Sequence, residues 1–523
     1  MSAIVTEAPV QSFEPDFAFN LARHCLAENA LRHAGQTALI IADGEGGGAL
    51  RMSFAEVLEA VMRLAGGLAR LNLPPRSRIV IRMGNEVDTV LLFFAVIAAG
   101  HVAVPTSMML TTEDVRFVAA DAEAAVVALG REAAGEGGFG DAFVLRPDDL
   151  ARLKRAEPLS DFADTAAEEP AYLVYTSGTT GRPKGVLHAH RVALGRRPMH
   201  QHWLGLRPGD VMLHAGASNW TYTLGVGVLD PWSCGATAAL ARGVSDPAAW
   251  PRLIAELGAT IFAATPGVYR QIMKRGWTDG LSLPTLRHGV AAGEALAPPL
   301  LAEWRQRTGR ELYESFGMSE ISTFISSGPA TPPRAGSAGK PQPGRRIAVL
   351  PQEGGTDPLP AGQAGLLAVH RSDPGLMLGY WRRPEEDAAA LRGEWFVSGD
   401  LVSVDDEGYV WHHGRADDVM NALGYRVSPA EVEAALADHP SVADIGVTEW
   451  RPREDLSIIA AFVVLRDGVE ADEAGLARQA SERLAAYKRP KAFHFVSALP
   501  RSANGKLQRR LLAATVPDAR SRA

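Results

Sequence analysis

The 523 residues are 46% hydrophobic and 22% charged, a globular balance long enough for roughly two to four structural units. A net charge of −7 and an isoelectric point near 6.1 argue against a broad nucleic-acid footprint, which needs a basic face. Cys25 and Cys234 lie far apart, make no metal-binding spacing and suit a reducing cytosol, so a cytoplasmic protein without a disulfide framework is expected.

The N-terminal MSAIVTEAPVQSFEPDFAF has no basic segment leading into an apolar run, so no signal peptide is expected. Met52–Asn72 carries apolar residues at helical spacing behind Ser53, a suitable N-cap. Ser77–Met83 alternates between turn residues and reads as a strand. VLLFFAVIAA, Val90–Ala99, is too short to span a bilayer and reads as a buried helix, so no integral membrane segment is expected. HVAVPTS is a further strand, TTEDVRFVAADA opens as helices do, and AAVVALG is a strand again. This alternation predicts α/β architecture with mainly parallel sheets. A second alternating block follows between about residues 210 and 310, with VMLHAG and TIFAATP as strands and WPRLIAELG as the helix between them. Residues 334–411 are rich in Gly and Pro with short apolar runs, predicting a smaller β-rich subdomain. After HHGRADD the pattern becomes a compact α+β unit, which places a boundary near Asp417 and divides the chain into domains 1–416 and 417–523.

Between the two alternating blocks stands YTSGTTGRPKG, Tyr175–Gly185. It is not a Walker A loop: Lys184 follows Pro183 and precedes Gly185, where that motif needs a glycine before the lysine and a hydroxyl after it. The flanks AYLVYT and GVLHAH are both strand-like, so the segment joins two strands rather than a strand and a helix. Its glycines let successive N–H groups turn toward an anion, while Thr176, Ser177, Thr179 and Thr180 add hydroxyl donors and Lys184 a mobile point charge. Composition alone leaves open a phosphate cradle or a polar hairpin tip.

Five further motifs follow in order, and with them the loop resembles that of the adenylate-forming superfamily, which includes acyl- and aryl-CoA synthetases, luciferases and peptide-synthetase adenylation domains. AAGEALAP (Ala291–Pro298) resembles the family's turn beside the nucleotide. ESFGMSE (Glu314–Glu320) resembles its adenine and magnesium segment, and WFVSGD (Trp395–Asp400) its ribose-binding strand. GRADDVMNALGYRVSP (Gly414–Pro429) resembles the hinge segment and SANGKLQRR (Ser502–Arg510) the catalytic-lysine segment.

The resemblance implies a fold: a large N-terminal domain of two α/β subdomains plus a β-rich one, and a small mobile α+β C-terminal domain. It also implies an AMP-forming ligase that uses ATP, Mg²⁺ and coenzyme A. A carboxylate attacks the α-phosphate of ATP, and a thiol then displaces AMP from the acyl-adenylate. Thr176–Lys184, including Gly178 and Gly181, would cover the β- and γ-phosphates. Gly293, Glu294 and Ala295, with Glu314, Ser315, Phe316, Gly317, Met318 and Ser319, would border the nucleotide, Phe316 stacking on adenine. Glu320 would bind Mg²⁺, Asp400 the ribose hydroxyls, Arg415 ribose and phosphate, and Arg426 phosphate. Lys506 would bridge the attacking carboxylate and the α-phosphate, a task suited to a cation because both reactants are negative. Asp417 would be the hinge about which the small domain turns, and Gly424 would then line the thiol tunnel.

For the acid itself, the family's acyl pocket corresponds here to Asn219, Trp220, Thr221, Tyr222, Leu224 and Gly225, with Gly293, Gly317 and Met318. Acetate-activating relatives place a Trp where Gly317 stands, which argues against acetate. Amino-acid adenylation domains carry an Asp near Asn219, which argues against an amino acid. Trp220 and Tyr222 would give a flat substrate apolar walls, so an aromatic or cyclic carboxylate is expected. Medium-chain or branched fatty acids, or an acceptor other than CoA, are the alternatives. The partners implied are small molecules, with the chain a monomer or homodimer.

Overall fold

A computed structural model describes residues 17–176, 183–276, 282–416, 420–422, 425–453, 456–501 and 507–516. Contacts divide the chain into two units. The larger takes in Val5–Arg346 and His370–Glu394, the smaller Ile347–Val369 and Trp395–Ala523.

Local signals act in the larger unit where they are strongest. Ser53 caps the helix Phe54–Ala69 in a reciprocal box with Glu56, and Thr111 does the same with Asp114 for Thr112–Asp121. Val87–Ala98 is a helix whose residues from Thr89 onward are all buried, which explains why it is apolar on every side. Among the described residues no helix is long and apolar enough to cross a membrane.

Two sheets organise this unit. The seven-stranded one runs in the order Gly379–Tyr380, Lys184–Ala189, Pro170–Thr176, Val102–Thr106, Arg78–Arg82, Ala124–Leu129, Phe143–Leu145. Its pairs are parallel except at the first two junctions, Gly379–Tyr380 with Lys184–Ala189 and Lys184–Ala189 with Pro170–Thr176. The nine-stranded sheet runs Lys340–Pro341, Ser322–Ser326, Glu311–Met318, His288–Ala292, Ile261–Ala264, Val211–His214, Thr237–Arg242, Thr37–Asp43, Ala49–Ser53. Its six central strands are parallel. One apolar core draws on both sheets and on the helices Leu21–Arg32, Phe54–Ala69 and Val87–Ala98. Trp232 is fully buried there, its ring 4.7 Å from that of Phe94 and its Nε1 donating to the Ala38 carbonyl at 2.8 Å.

The two α/β subdomains expected are present, and two strands that the sequence reading did not name complete the second. Strands Thr37–Asp43 and Ala49–Ser53 join the sheet of the second block, beside Thr237–Arg242, rather than that of the first. Alternation identifies strands, but their sheet partners depend on contacts about 200 residues away in the chain, for which no local pattern exists.

In the smaller unit, Ile347–Leu350, Gly365–His370, Trp395–Val404 and Val410–Arg415 form one sheet. A hairpin, Met420–Ala422 with Tyr425–Val427, follows. A three-stranded sheet of Val442–Arg453, Leu456–Leu465 and Ala492–Phe495 then packs with helices Pro429–Leu436 and Glu473–Arg483, the α+β pattern expected. The β-rich region expected over 334–411 is therefore only partly one piece. Residues 370–394 leave it and belong to the larger unit, where they matter for the site.

Candidate active site

The glycine-rich loop joins two antiparallel strands, Pro170–Thr176 and Lys184–Ala189, with Thr176 opposite Lys184. Ser177, Gly178, Thr179, Thr180 and Gly181 lie outside the described residues, so the structure speaks for the loop's two stems. Both are held by the strap formed by residues 376–387. On the entry side, the Tyr175 hydroxyl donates to Asp121 Oδ2 at 2.7 Å, and Trp381 Nε1 donates to the Asp121 carbonyl at 2.9 Å. On the exit side, Trp381 N donates to the Gly185 carbonyl at 2.8 Å, and Gly379 and Tyr380 pair with Leu187 and Val186. Lys184 Nζ sits 3.8 Å from the Tyr380 ring centroid and 3.1 Å from Glu386 Oε2.

Tyr380 turns its other end to Glu320, donating from its hydroxyl to Oε1 at 2.8 Å. Burial, together with the Glu320 charge, pushes the phenol far above its ordinary range, so it stays a donor. Met377 N also donates to the Glu320 carbonyl at 2.7 Å. Among the described residues no group of three or more His, Cys, Asp or Glu could hold a metal ion. One carboxylate whose second oxygen is left over suits a hard cation that brings phosphate and water ligands with it, and does not suit an all-protein cage.

Residues 314–318 of the ESFGMSE motif lie on Glu311–Met318, which turns back through Ser322–Ser326 with Phe316 opposite Ile325 and Gly317 opposite Thr323. Ser322 adopts a positive φ of 71° in this hairpin. A side chain at Gly317 would run into the Ser322 and Thr323 backbone, so the hairpin itself demands glycine there. The Phe316 ring meets Phe324 edge-on at 6.0 Å, and the Ser315 hydroxyl donates to the Ile325 carbonyl at 2.8 Å. His188 Nε2 lies 2.9 Å from the Ser319 carbonyl, and burial lowers its imidazole to about 3. The ring is therefore neutral and donates there, pinning the turn that carries Met318 and Ser319. Gly293 has a φ of 101°, and Glu294 pairs with Arg270 at 3.1 Å. Two residues past Glu294, beyond Ala295, Leu296 N donates to Glu314 Oε1 at 3.2 Å, which ties the 293–296 turn to the adenine segment.

Glu314 itself is pushed up to about 8 by burial, against that single hydrogen bond. The folded protein thus binds a proton that the unfolded chain, with a carboxyl near 4.3, releases. Stability should fall as pH rises across that window and level off above it. Glu314→Gln keeps an acceptor for Leu296 and cannot ionise. We expect its melting temperature to decline less than the parent's between pH 5 and pH 8 in thermal scans, and parallel declines would show that Glu314 does not titrate in this range.

The pocket segment folds as a short helix, Thr221–Leu224, running into a π-helical turn, Gly225–Leu229. The Trp220 ring stands edge-on to Tyr222 at 5.2 Å, and a Cβ on Gly293 would come 3.4 Å from the Trp220 ring. Tyr222 is buried, with its ring 4.5 Å from His214. Asn219, Trp220 and Thr221 are part-exposed, whereas Leu224 packs into the main core and Gly225 backs onto the Arg196 guanidinium.

Two supports of this region carried no sequence signal. Asn85 accepts from Ser218 N at 2.7 Å and donates to the Gly216 and Ala241 carbonyls, fixing the turn before Asn219. Arg196 grips Asp230 through Nε at 2.7 Å and NH2 at 2.6 Å, while its NH1 donates to Ser322 Oγ. It thereby ties the end of the π-helical turn to the adenine hairpin. His200 Nε2 adds a contact to Asp230 Oδ1 at 3.0 Å. Each partner lies dozens of residues from the motif it supports, so only the three-dimensional structure reveals them.

In the smaller unit, Asp400 is buried opposite Arg415 in the pairing of Trp395–Val404 with Val410–Arg415. His412 Nε2 lies 3.1 Å from its Oδ1 and Arg415 NH1 3.6 Å from its Oδ2. Arg415 also donates to the Ser398 carbonyl at 3.0 Å. His412 is a further residue that motif reading missed. Asp417, Gly424 and Lys506 fall outside the described residues, as does the side chain of Arg426.

The family of AMP-binding enzymes matches residues 26–381, and the C-terminal domain of AMP-binding enzymes matches residues 431–506. The chain belongs to the AMP-binding enzyme family, the adenylate-forming proteins that its motifs resemble. It has their ATP-binding fold and is an AMP-forming acid–thiol ligase of the acyl- or aryl-CoA type. It is 32% identical over 484 residues to a 3-hydroxybenzoate–CoA ligase of Aromatoleum sp. (strain CIB), covering 88% of this chain and 91% of that one. It is 31% identical over 518 residues to a benzoate–CoA ligase of Thauera aromatica, covering 94% and 95%. Among solved structures, the anthranilate CoA ligase AuaEII in complex with anthranoyl-AMP superposes with a TM-score of 0.85 at 28% identity, over 95% of this chain and 98% of that one.

Proposed function

We propose that this ligase activates an aromatic or cyclic carboxylic acid. The carrying observation is the edge-on pair of Trp220 and Tyr222 beside Gly293, where any side chain would lie against the part-exposed Trp220 ring. A planar ring gains from such walls beyond its buried area. The relatives named for benzoate, 3-hydroxybenzoate and anthranilate support the same reading.

In this proposal Glu320 holds Mg²⁺ on the ATP phosphates, with the loop 176–184 covering them. The turn 293–295 and residues 314–319 border the nucleotide. Asp400 takes the ribose, with Arg415 and Arg426 toward ribose and phosphate, and Lys506 reaches the reacting carboxylate and α-phosphate. The boundary at 416/417 is the hinge, turning on Asp417, and CoA enters past Gly424. The enzyme acts in the cytoplasm as a monomer or homodimer.

Pyrophosphate release measured across aryl, alicyclic and C2–C10 linear acids, followed by thioester detection after CoA is added, tests the reading. The expected result is a kcat/KM at least about tenfold higher for the best ring acid than for any linear acid, the scale of one or two well-packed methylenes. A preference for linear acids would overturn it, and adenylate formation without thioester would point to a different acceptor.

A further inference from the structure

Glu320 is the carboxylate on which the metal reading rests, and the strap 376–387 holds it twice. The Met377 amide donates to its carbonyl at 2.7 Å and the Tyr380 hydroxyl to its Oε1 at 2.8 Å. The strap is separated from Glu320 by about 60 residues of chain, and residues 347–369 between them belong to the other unit. It is nevertheless anchored in the sheet that bears the phosphate loop, because Gly379 and Tyr380 pair with Leu187 and Val186. Gly379, at a φ of 152°, fits only without a side chain, since a Cβ would press on the Asp387 carboxylate. That carboxylate accepts from Tyr380 N at 2.8 Å and fixes the ring's position. The face of the same ring carries Lys184 Nζ at 3.8 Å.

We propose that Tyr380 is a positioning residue that presents Glu320 to the ATP-bound metal ion, setting the carboxylate in register with the phosphate loop through one aromatic ring. The inference rests on Glu320 being the metal-binding carboxylate. The physical ground is geometric. Mg²⁺ demands a near-ideal octahedron and tolerates little ligand wander. A lone glutamate supplying one oxygen must therefore have its other oxygen held, and hydrogen-bond partners of ligating groups are commonly worth 10–100-fold in metal affinity. A phenol suits the task because it donates to Oε1 without bringing a competing charge.

Titration calorimetry of ATP into the full chain, with Mg²⁺ and separately with EDTA, tests this on the parent, Tyr380→Phe, Glu320→Gln and the double variant. Phenylalanine keeps the ring under Lys184 and removes only the hydroxyl. The expected result is that Tyr380→Phe weakens Mg·ATP binding roughly 10-fold, at the lower end of that range, and leaves metal-free ATP binding unchanged. Glu320→Gln should weaken Mg·ATP binding at least as much, and the double variant no further than Glu320→Gln alone, because two residues acting in series are not additive. Parent-like Mg·ATP binding by Tyr380→Phe, beside a weakened Glu320→Gln, overturns the role of Tyr380 alone. Equal losses with and without metal, or full additivity in the double variant, also overturn it, since Tyr380 would then act by some route other than Glu320. Parent-like binding by Glu320→Gln overturns the metal reading itself, and this inference with it.

Discussion

Replacing Lys506 with alanine should lower carboxylate-dependent pyrophosphate release by about 10²–10³-fold, the usual cost of removing one preorganised charge from a transition state. The carboxylate and the α-phosphate are both anionic, so their approach needs a cation between them, and SANGKLQRR offers Lys506. The same variant should convert supplied acyl-adenylate to thioester at close to the parent rate, because that step displaces AMP and needs no cation between two anions. Gly424→Leu should do the reverse, keeping adenylation and obstructing the thiol. Stopped-flow or quenched assays of each half-reaction check both. Equal damage to both halves by both variants would sink the account in which one small domain serves the two steps in turn.

Asp230→Ala should destabilise the larger unit by about 3–5 kcal/mol, read as a drop in urea midpoint. Asp230 and Arg196 are 1% and 3% exposed, and alanine would leave a guanidinium buried without its counter-ion. Burial by itself would raise the Asp230 carboxyl, but Arg196 and His200 together hold it below the ordinary range. Its contribution is therefore present above the pKa of an unfolded aspartate and is lost as pH falls through the lower folded value. Removing both charges with packing residues, as in Arg196→Met with Asp230→Leu, should cost much less than Asp230→Ala, since the penalty lies in the orphaned charge rather than in the lost attraction. A double variant as unstable as the single one would show that the pair is needed for its hydrogen bonds. The bond from Arg196 to Ser322 makes that outcome informative, because it would mark the tie to the adenine hairpin as the structural requirement.

What the sequence expressed about the candidate site is what its local chemistry requires. A phosphate loop needs glycines and hydroxyls in one run, and the strands on either side of Tyr175–Gly185 announce themselves by composition. The caps at Ser53 and Thr111 and the apolar run from Val90 in the helix Val87–Ala98 are likewise decided within a few residues, by backbone groups that must be paired and by apolar surface that must be buried. The sequence by itself thus determined most of the elements and their α/β order, and it assigned the residues expected to meet ATP.

The tertiary structure alone decided which distant residues hold those elements in register. Thr37–Asp43 joins the second sheet, residues 370–394 leave the β-rich region to brace the strands Pro170–Thr176 and Lys184–Ala189, and Asn85, Arg196, Asp230 and Tyr380 become supports. Hydrogen bonds and ion pairs of this kind depend on where two side chains meet in space. A tyrosine 60 residues beyond Glu320 carries no periodicity or spacing that points to it, and the fold supplies the 2.8 Å that makes it part of the site.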